Sequence, residues 1–259
     1  MRPQKIRLLL ALGITSGLGC GQDLNVGSDV LWSARHESGT FQEWTGVSGG
    51  AAQAFPVPAN AIDVSTERAH GGTHSAKLTI DAGAAGIQQT AELARAGGLP
   101  IEAYYSAWYY LPRAVTVGTY WVIFKFRMRT VLDDSSTTTE LFDLDLTNLP
   151  TGDMTLRLYD HRTGDLPLDV PSPAVPVGAW FQLEAFYRAA ADRTGRVTYF
   201  LDGVPIVDVQ GPTGPTPWVE WEACSIGEGL DPAPAVLFID DAAISLQRVG
   251  PAGLIAAPP

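Results

Sequence analysis

Cysteine is nearly absent from this chain of 259 residues, which holds only Cys20 and Cys224. One disulfide is the most it can form, so cross-links are not its main stabiliser. Histidine is also scarce, at four residues, and none adjoins Cys224. That cysteine, in the segment Glu222-Ala-Cys-Ser-Ile226, reads as a small buried apolar residue rather than a nucleophile. Basic residues are outnumbered, 17 Lys and Arg against 28 Asp and Glu, for a net charge of −11. Nucleic acid is therefore excluded as a partner, because it calls for clustered Lys and Arg. A local cationic groove remains compatible with an acidic polymer, since the field depends on local arrangement. No apolar run approaches the ~20 residues needed to span a bilayer. Helical periodicity is weak almost everywhere, and no internal repeat is evident.

What is present begins with a leader. Met1-Arg-Pro-Gln-Lys-Ile-Arg7 is basic, Leu8 to Ile14 is apolar, and small residues run to Cys20. Residues 1–20 are read as an export signal. Gly17-Leu-Gly-Cys20 resembles a bacterial lipobox, with Leu18 one place later than the usual leucine. The resemblance implies lipid attachment at Cys20 and a cell-envelope location, with the membrane reached through that lipid. Plain cleavage without lipid is the alternative. Residues 21–29 would form a polar tether, and the tail 249–259 reads as disordered.

Between them, residues 30–248 show short alternating runs punctuated by Pro and Gly, the pattern of an antiparallel sandwich. Expected strands cover Glu102–Leu111, Tyr120–Arg129, Leu141–Leu146 and Met154–His161, and a helical turn is expected only at Ala189–Arg193. The most informative stretch is Trp180-Phe-Gln-Leu-Glu-Ala-Phe-Tyr-Arg188, then Gly195-Arg-Val-Thr-Tyr-Phe-Leu-Asp-Gly203 with a tight turn at Asp202-Gly203. A further strand, Val236–Ser245, follows. Together these resemble the distal strands of concanavalin A-like jelly rolls, the sandwich of lectins, laminin-G-like modules and several polysaccharide lyases. The fold expected is all-β, a jelly roll of two antiparallel sheets, and the resemblance implies a polysaccharide or oligosaccharide partner.

Strict alternation over Tyr120–Arg129 puts Trp121, Ile123, Lys125, Arg127 and Arg129 on one face. An aromatic ring beside cations suits a sugar groove, because rings stack on pyranose faces and cations bind hydroxyls or carboxylates. A solvated outer face explains the same residues. Trp108 and Tyr110 are added from the neighbouring aromatic strand. On Met154–His161, alternation groups Thr155, Arg157, Tyr159 and His161. Sandwich polysaccharide lyases use a Tyr or His as base and acid while a cation or amide neutralises the uronate carboxylate. The resemblance therefore offers Tyr159 and His161 as catalytic residues, with Arg157 or Lys125 as neutraliser. Recognition without cleavage is the preferred reading, lyase activity the alternative, and a structural surface protein the third. Glycosidase chemistry is weaker, since Glu140 faces away from Asp143 and Asp145 on a regular strand. Glu37 and Asp241, with Asp240 and the Gly71-Gly72 turn, resemble the edge where such modules hold a structural Ca²⁺. A zinc site at His70 and His74 is disfavoured by the lack of a nearby acid or thiolate cluster.

Overall fold

The computed structural model describes residues 29–51, 60–132, 135–169, 171, 173–214 and 219–252. The leader, Cys20 and the last residues of the tail, 253–259, lie outside them. Among the described residues the chain forms fifteen strands: β1 (Val30–Ala34), β2 (Gly46–Ala51), β3 (Ala61–Ser65), β4 (Ser75–Ile80), β5 (Gln89–Ala96), β6 (Glu102–Tyr110), β7 (Thr116–Leu132), β8 (Ser135–Asn148), β9 (Met154–Asp160), β10 (Gly164–Leu166), β11 (Trp180–Arg188), β12 (Arg196–Leu201), β13 (Val204–Gln210), β14 (Val219–Asp231) and β15 (Ala235–Ser245). They pair antiparallel in two sheets. One runs β13-β12-β11-β6-β15-β4-β3, with β1 also on β15; the other runs β10-β9-β8-β7-β14-β5-β2. This is the two-sheet jelly roll expected. The helical turn expected at Ala189–Arg193 is instead an irregular loop, whose Ala190 carbonyl accepts from the Thr213 and Gly214 N–H groups.

Alternation decides which side chains meet between the sheets. Met154, Leu156 and Leu158 of β9 point inward, as do Ala103, Tyr105, Ala107 and Tyr109 of β6. Rings fill the centre: Trp221 lies 5.5 Å from Phe124 and 5.6 Å from Tyr105, and Phe126 lies 4.3 Å from Tyr187. Such tilted and edge-on pairs add to the large apolar area that each ring buries. Cys224 is fully buried, in keeping with its reading as a small apolar residue.

Turn chemistry holds the periphery. Asp202 and Gly203 adopt φ of 47° and 79°, and Leu201 pairs with Val204 across them. This is the two-residue hairpin that requires positive φ at both positions. At the opposite sheet edge the loop before β4 is tied down by carboxylates. Buried Asp240 accepts from the N–H groups of His70 at 2.8 Å and Gly71 at 3.2 Å. Glu37 accepts from the N–H groups of Thr73 and His74, both at 2.9 Å. A β-carbon on Gly71 would lie 2.7 Å from Asp241 Oδ2, and one on Gly72 would lie 2.4 Å from the Glu37 carboxyl. The glycine pair lets the acids approach this closely.

The outward face of the first sheet is covered in part by the segment after β15. Glu184, fully buried, accepts from the N–H groups of Val249 at 2.6 Å and Gly250 at 3.3 Å, and from Arg248 Nε at 2.9 Å. Arg248 also lies 3.8 Å over the Phe200 ring. Val249 and Gly250, expected as part of a frayed tail, are thus pinned to the sheet.

Removing one partner of such a buried charged pair costs about 3 kcal/mol. Glu184→Ala is expected to lower the melting temperature by roughly 6–12 °C and to open the chain to proteolysis near Arg248. Calorimetry and limited trypsin digestion measure both, and an unchanged melting temperature would contradict the role given to Glu184.

Candidate functional site

A groove of about 310 Å³ lies on the outward face of the second sheet, lined by Gln88, Thr119, Tyr120, Val122, Lys125, Asp143, Asp145, Arg157, Tyr159, His161 and Ile226. Its composition follows from an irregularity in β7. The register with β8 shifts between Val122 and Phe124, and the successive residues Ile123 and Phe124 both belong to the core. A bulge of this kind reverses the parity of everything beyond it. Before it, Trp121 and Ile123 face inward while Tyr120 and Val122 face outward. After it, Phe124 and Phe126 face inward while Lys125 and Arg127 face outward.

The strict alternation expected for this strand is therefore corrected. Trp121 is fully buried, and its Nε1 donates to Ser225 Oγ at 2.9 Å. It forms part of the core and does not line the groove. Trp108 and Tyr110 are corrected as well, because β6 carries them on the outward face of the other sheet. There Trp108 stacks 3.8 Å from His70, and Tyr110 lies 5.4 Å from Trp180. Neither ring shares a surface with Lys125 or Tyr159. The parity expected on β9 holds, with Arg157 and Tyr159 outward and His161 just past the strand end.

Two rows of paired residues cross the second sheet. Tyr159 is in register with Asp143, Asp143 with Lys125, and Lys125 with Glu222. Next to it, Arg157 is in register with Asp145, Asp145 with Val122, and Val122 with Ile226. Directly opposed side chains interact most strongly in an antiparallel pair. His161 Nε2 meets Asp143 Oδ2 at 2.7 Å. With the carboxylate accepting, Nε2 carries a ring proton. The His161 ring stands edge-on to Tyr159, with centroids 5.0 Å apart. Arg157 donates to Asp145 Oδ2 through one terminal nitrogen at 2.5 Å and through Nε at 3.2 Å.

Burial sets the electrostatics. It pushes the Asp145 carboxyl up to about 6, against the pull of the Arg157 hydrogen bond and charge. Glu222, with no exposed surface, rises to about 8 through burial and the neighbouring Glu92 charge, opposed by Arg127 and Lys125. Arg127 approaches Glu222 to 2.5 Å and Glu220 to 2.9 Å. The Glu222 contact misses hydrogen-bond geometry, so it acts as a charge contact and leaves the carboxyl poorly solvated. The Tyr120 hydroxyl donates to Gln88 Oε1 at 2.7 Å, and burial first, then the Glu228 charge, pushes its pKa up to about 12.

Asp143 and Asp145 share one face, as alternation implies, but each is engaged with an imidazole or a guanidinium, which suits orientation of those groups. Gln88, Thr119, Tyr120 and Ile226 escaped the sequence reading. Tyr120 was reachable only by knowing the bulge, and nothing in the local pattern marks Gln88. The calcium candidates Glu37 and Asp241 flank the Gly71-Gly72 turn. Their oxygens accept from the Thr73 and His74 N–H groups and from Arg35 at 3.2 Å. Among the described residues no group of three His, Cys, Asp or Glu side chains is arranged to hold a metal.

No protein family and no curated protein matches the chain. Solved structures do. An endo-β-1,4-glucuronan lyase from the fungus Trichoderma reesei aligns with a TM-score of 0.59 at 13% identity, over 84% of this chain and 96% of that one. An alginate lyase in complex with alginate trisaccharide aligns with a TM-score of 0.53 at 12% identity, over 84% and 98%. An alginate lyase from Aplysia kurodai gives a TM-score of 0.53 at 10% identity, over 84% and 99%. At these identities the likeness concerns the fold, which hosts many activities. The chain has the concanavalin A-like jelly-roll fold that these polysaccharide lyases share.

Proposed function

We propose that this chain acts on a polysaccharide, and that it does so as a lyase cleaving a uronate-containing glycan by β-elimination. One observation carries the reading: Tyr159, His161, Arg157 and Lys125 line a single groove, with Asp143 hydrogen-bonded to His161. Recognition without cleavage through the expected rings has less support, because Trp121 is buried and Trp108 and Tyr110 lie on the other sheet.

The reaction breaks the C5–H bond and the C4–O bond of a uronate and forms a C4=C5 double bond. Arg157, with Lys125 beside it, would neutralise the uronate carboxylate, which makes the C5 proton easier to remove. Tyr159 and His161 would divide the proton transfers: one takes the C5 proton, and the other delivers a proton to the departing O4. Their ring separation of 5.0 Å suits neighbouring reacting atoms. Asp143 would hold the His161 ring in one orientation, and Asp145 would do the same for Arg157. Export and lipid attachment through Cys20 complete the proposal and would set this activity in the cell envelope.

With alginate, pectate, glucuronan and glycosaminoglycans offered separately, ultraviolet absorbance of the unsaturated uronate is expected to rise with at least one polymer. Tyr159→Phe and His161→Asn should each slow that rise by about 10²–10⁴-fold with unchanged melting temperature. Arg157→Ala should lower kcat/KM by about 10²-fold. No rise with any polymer, or full turnover by Tyr159→Phe, would exclude this mechanism. For the anchor, expression in a bacterial host should give a membrane-bound, palmitate-labelled protein. Cys20→Ala should release it, and equal partitioning of both forms would remove the lipid.

A further inference from the structure

We infer that the groove selects a glycan whose uronates are separated by neutral sugars, rather than a homopolyuronate. The inference deepens the lyase reading and rests on it for the chemistry at the uronate.

The first argument is the balance of charge along the groove. Its lining cations are Lys125 and Arg157, and each is already matched. Lys125 is in register between Asp143 and Glu222. Arg157 contacts Asp145 at 2.5 Å and Asp165 at 3.6 Å. Arg127, further along the same face, contacts Glu220 and Glu222. Even without Glu222, whose carboxyl is pushed up to about 8, Asp143, Asp145, Asp165 and Glu220 outnumber Lys125, Arg157 and Arg127 on this surface. The Arg157 side chain is 35% exposed, so it can still accept one more carboxylate from solvent. A polymer with a carboxylate on every sugar would bring the next one against lining groups that carry no positive charge.

Those groups lie at the other end. The groove runs across strands from Gln88, beside β5, through β14, β7 and β8 to β9, about 19 Å over four inter-strand steps. Its Gln88 end is lined by an amide, the hydroxyls of Thr119 and Tyr120, and the apolar side chains of Val122 and Ile226. Amides and hydroxyls hydrogen-bond sugar hydroxyls, while the apolar strip meets the C–H face of a ring. A negative charge faces that end: Glu228 is in register with Tyr120, and its charge, after burial, helps raise the pKa of the Tyr120 hydroxyl. The whole chain adds a repulsive background for polyanions, at a net charge of −11. One part-exposed guanidinium, Arg157, with a neutral, acid-flanked arm fits one uronate next to an uncharged sugar.

The test uses full-length Tyr159→Phe protein and calorimetry with size-matched oligosaccharides. Hyaluronan fragments alternate uronate with a neutral sugar; alginate and polygalacturonate fragments are homopolyuronates. The alternating ligand is expected to bind about tenfold more tightly and to lose little affinity as salt rises. Adding Gln88→Lys should raise homopolyuronate affinity and narrow the ratio. Equal or tighter binding of the homopolyuronates, or no binding of either class, would overturn the inference. Wild-type protein that gives no unsaturated product removes the lyase reading separately, because the affinity ratio is read without cleavage.

Discussion

The candidate site depends on a single irregularity in the longest strand. Around Ile123 the alternation of β7 reverses, so two successive residues, Ile123 and Phe124, enter the core. Without that bulge, Lys125 and Arg127 would share a face with Trp121, and Phe124 and Phe126 would stand in solvent. The ring cluster around Trp221 and Tyr105 would then lose its centre. With it, the strand supplies inward rings along its length and also delivers Tyr120, Val122, Lys125 and Arg127 to one outward surface. Core packing and groove composition are two consequences of the same extra residue.

On that surface the physics is a compromise between burial and charge. Asp145 and Glu222 have almost no exposed surface, and taking carboxylates out of water is costly unless cations and donors face them. The rows across β9, β8, β7 and β14 answer this by alternating sign, with Asp143 and Glu222 on either side of Lys125 and Asp145 against Arg157. A buried carboxyl with a shifted pKa in a groove of this kind, as at Asp145, is a pattern that recurs at functional sites. The opposite sheet uses its buried acids differently. Glu184 and Asp240 accept backbone N–H groups from the C-terminal segment and from the loop before β4, which fixes those chain segments.

Much of the fold could be read from residue patterns, because alternation and turn chemistry are local. Met154, Leu156 and Leu158 against Arg157 and Tyr159 is a clean period of two, and the structure keeps it. Asp202-Gly203 announces its hairpin. The shorter or less regular strands were not legible: β2 is glycine-rich, and β14 mixes Glu220 and Glu222 with core residues. The site was legible in halves. Arg157, Tyr159 and His161 lie on or next to a regular stretch, and the structure places them along one groove. Trp121, Trp108 and Tyr110 do not join that groove, for two reasons. A bulge leaves no mark in residue type, and the sheet to which a strand belongs is a matter of long-range pairing. The partnership of Asp143 with His161 likewise depends on the β8–β9 register.

The most direct test of the account is a crystal structure of the Tyr159→Phe protein with a bound uronate-containing oligosaccharide. The account predicts sugar lying across β5 to β9, with one carboxylate on Arg157 and the C5 position beside residue 159 and His161. Sugar bound instead to Trp108, Tyr110 and Trp180 on the other sheet, with the groove left empty, would contradict it.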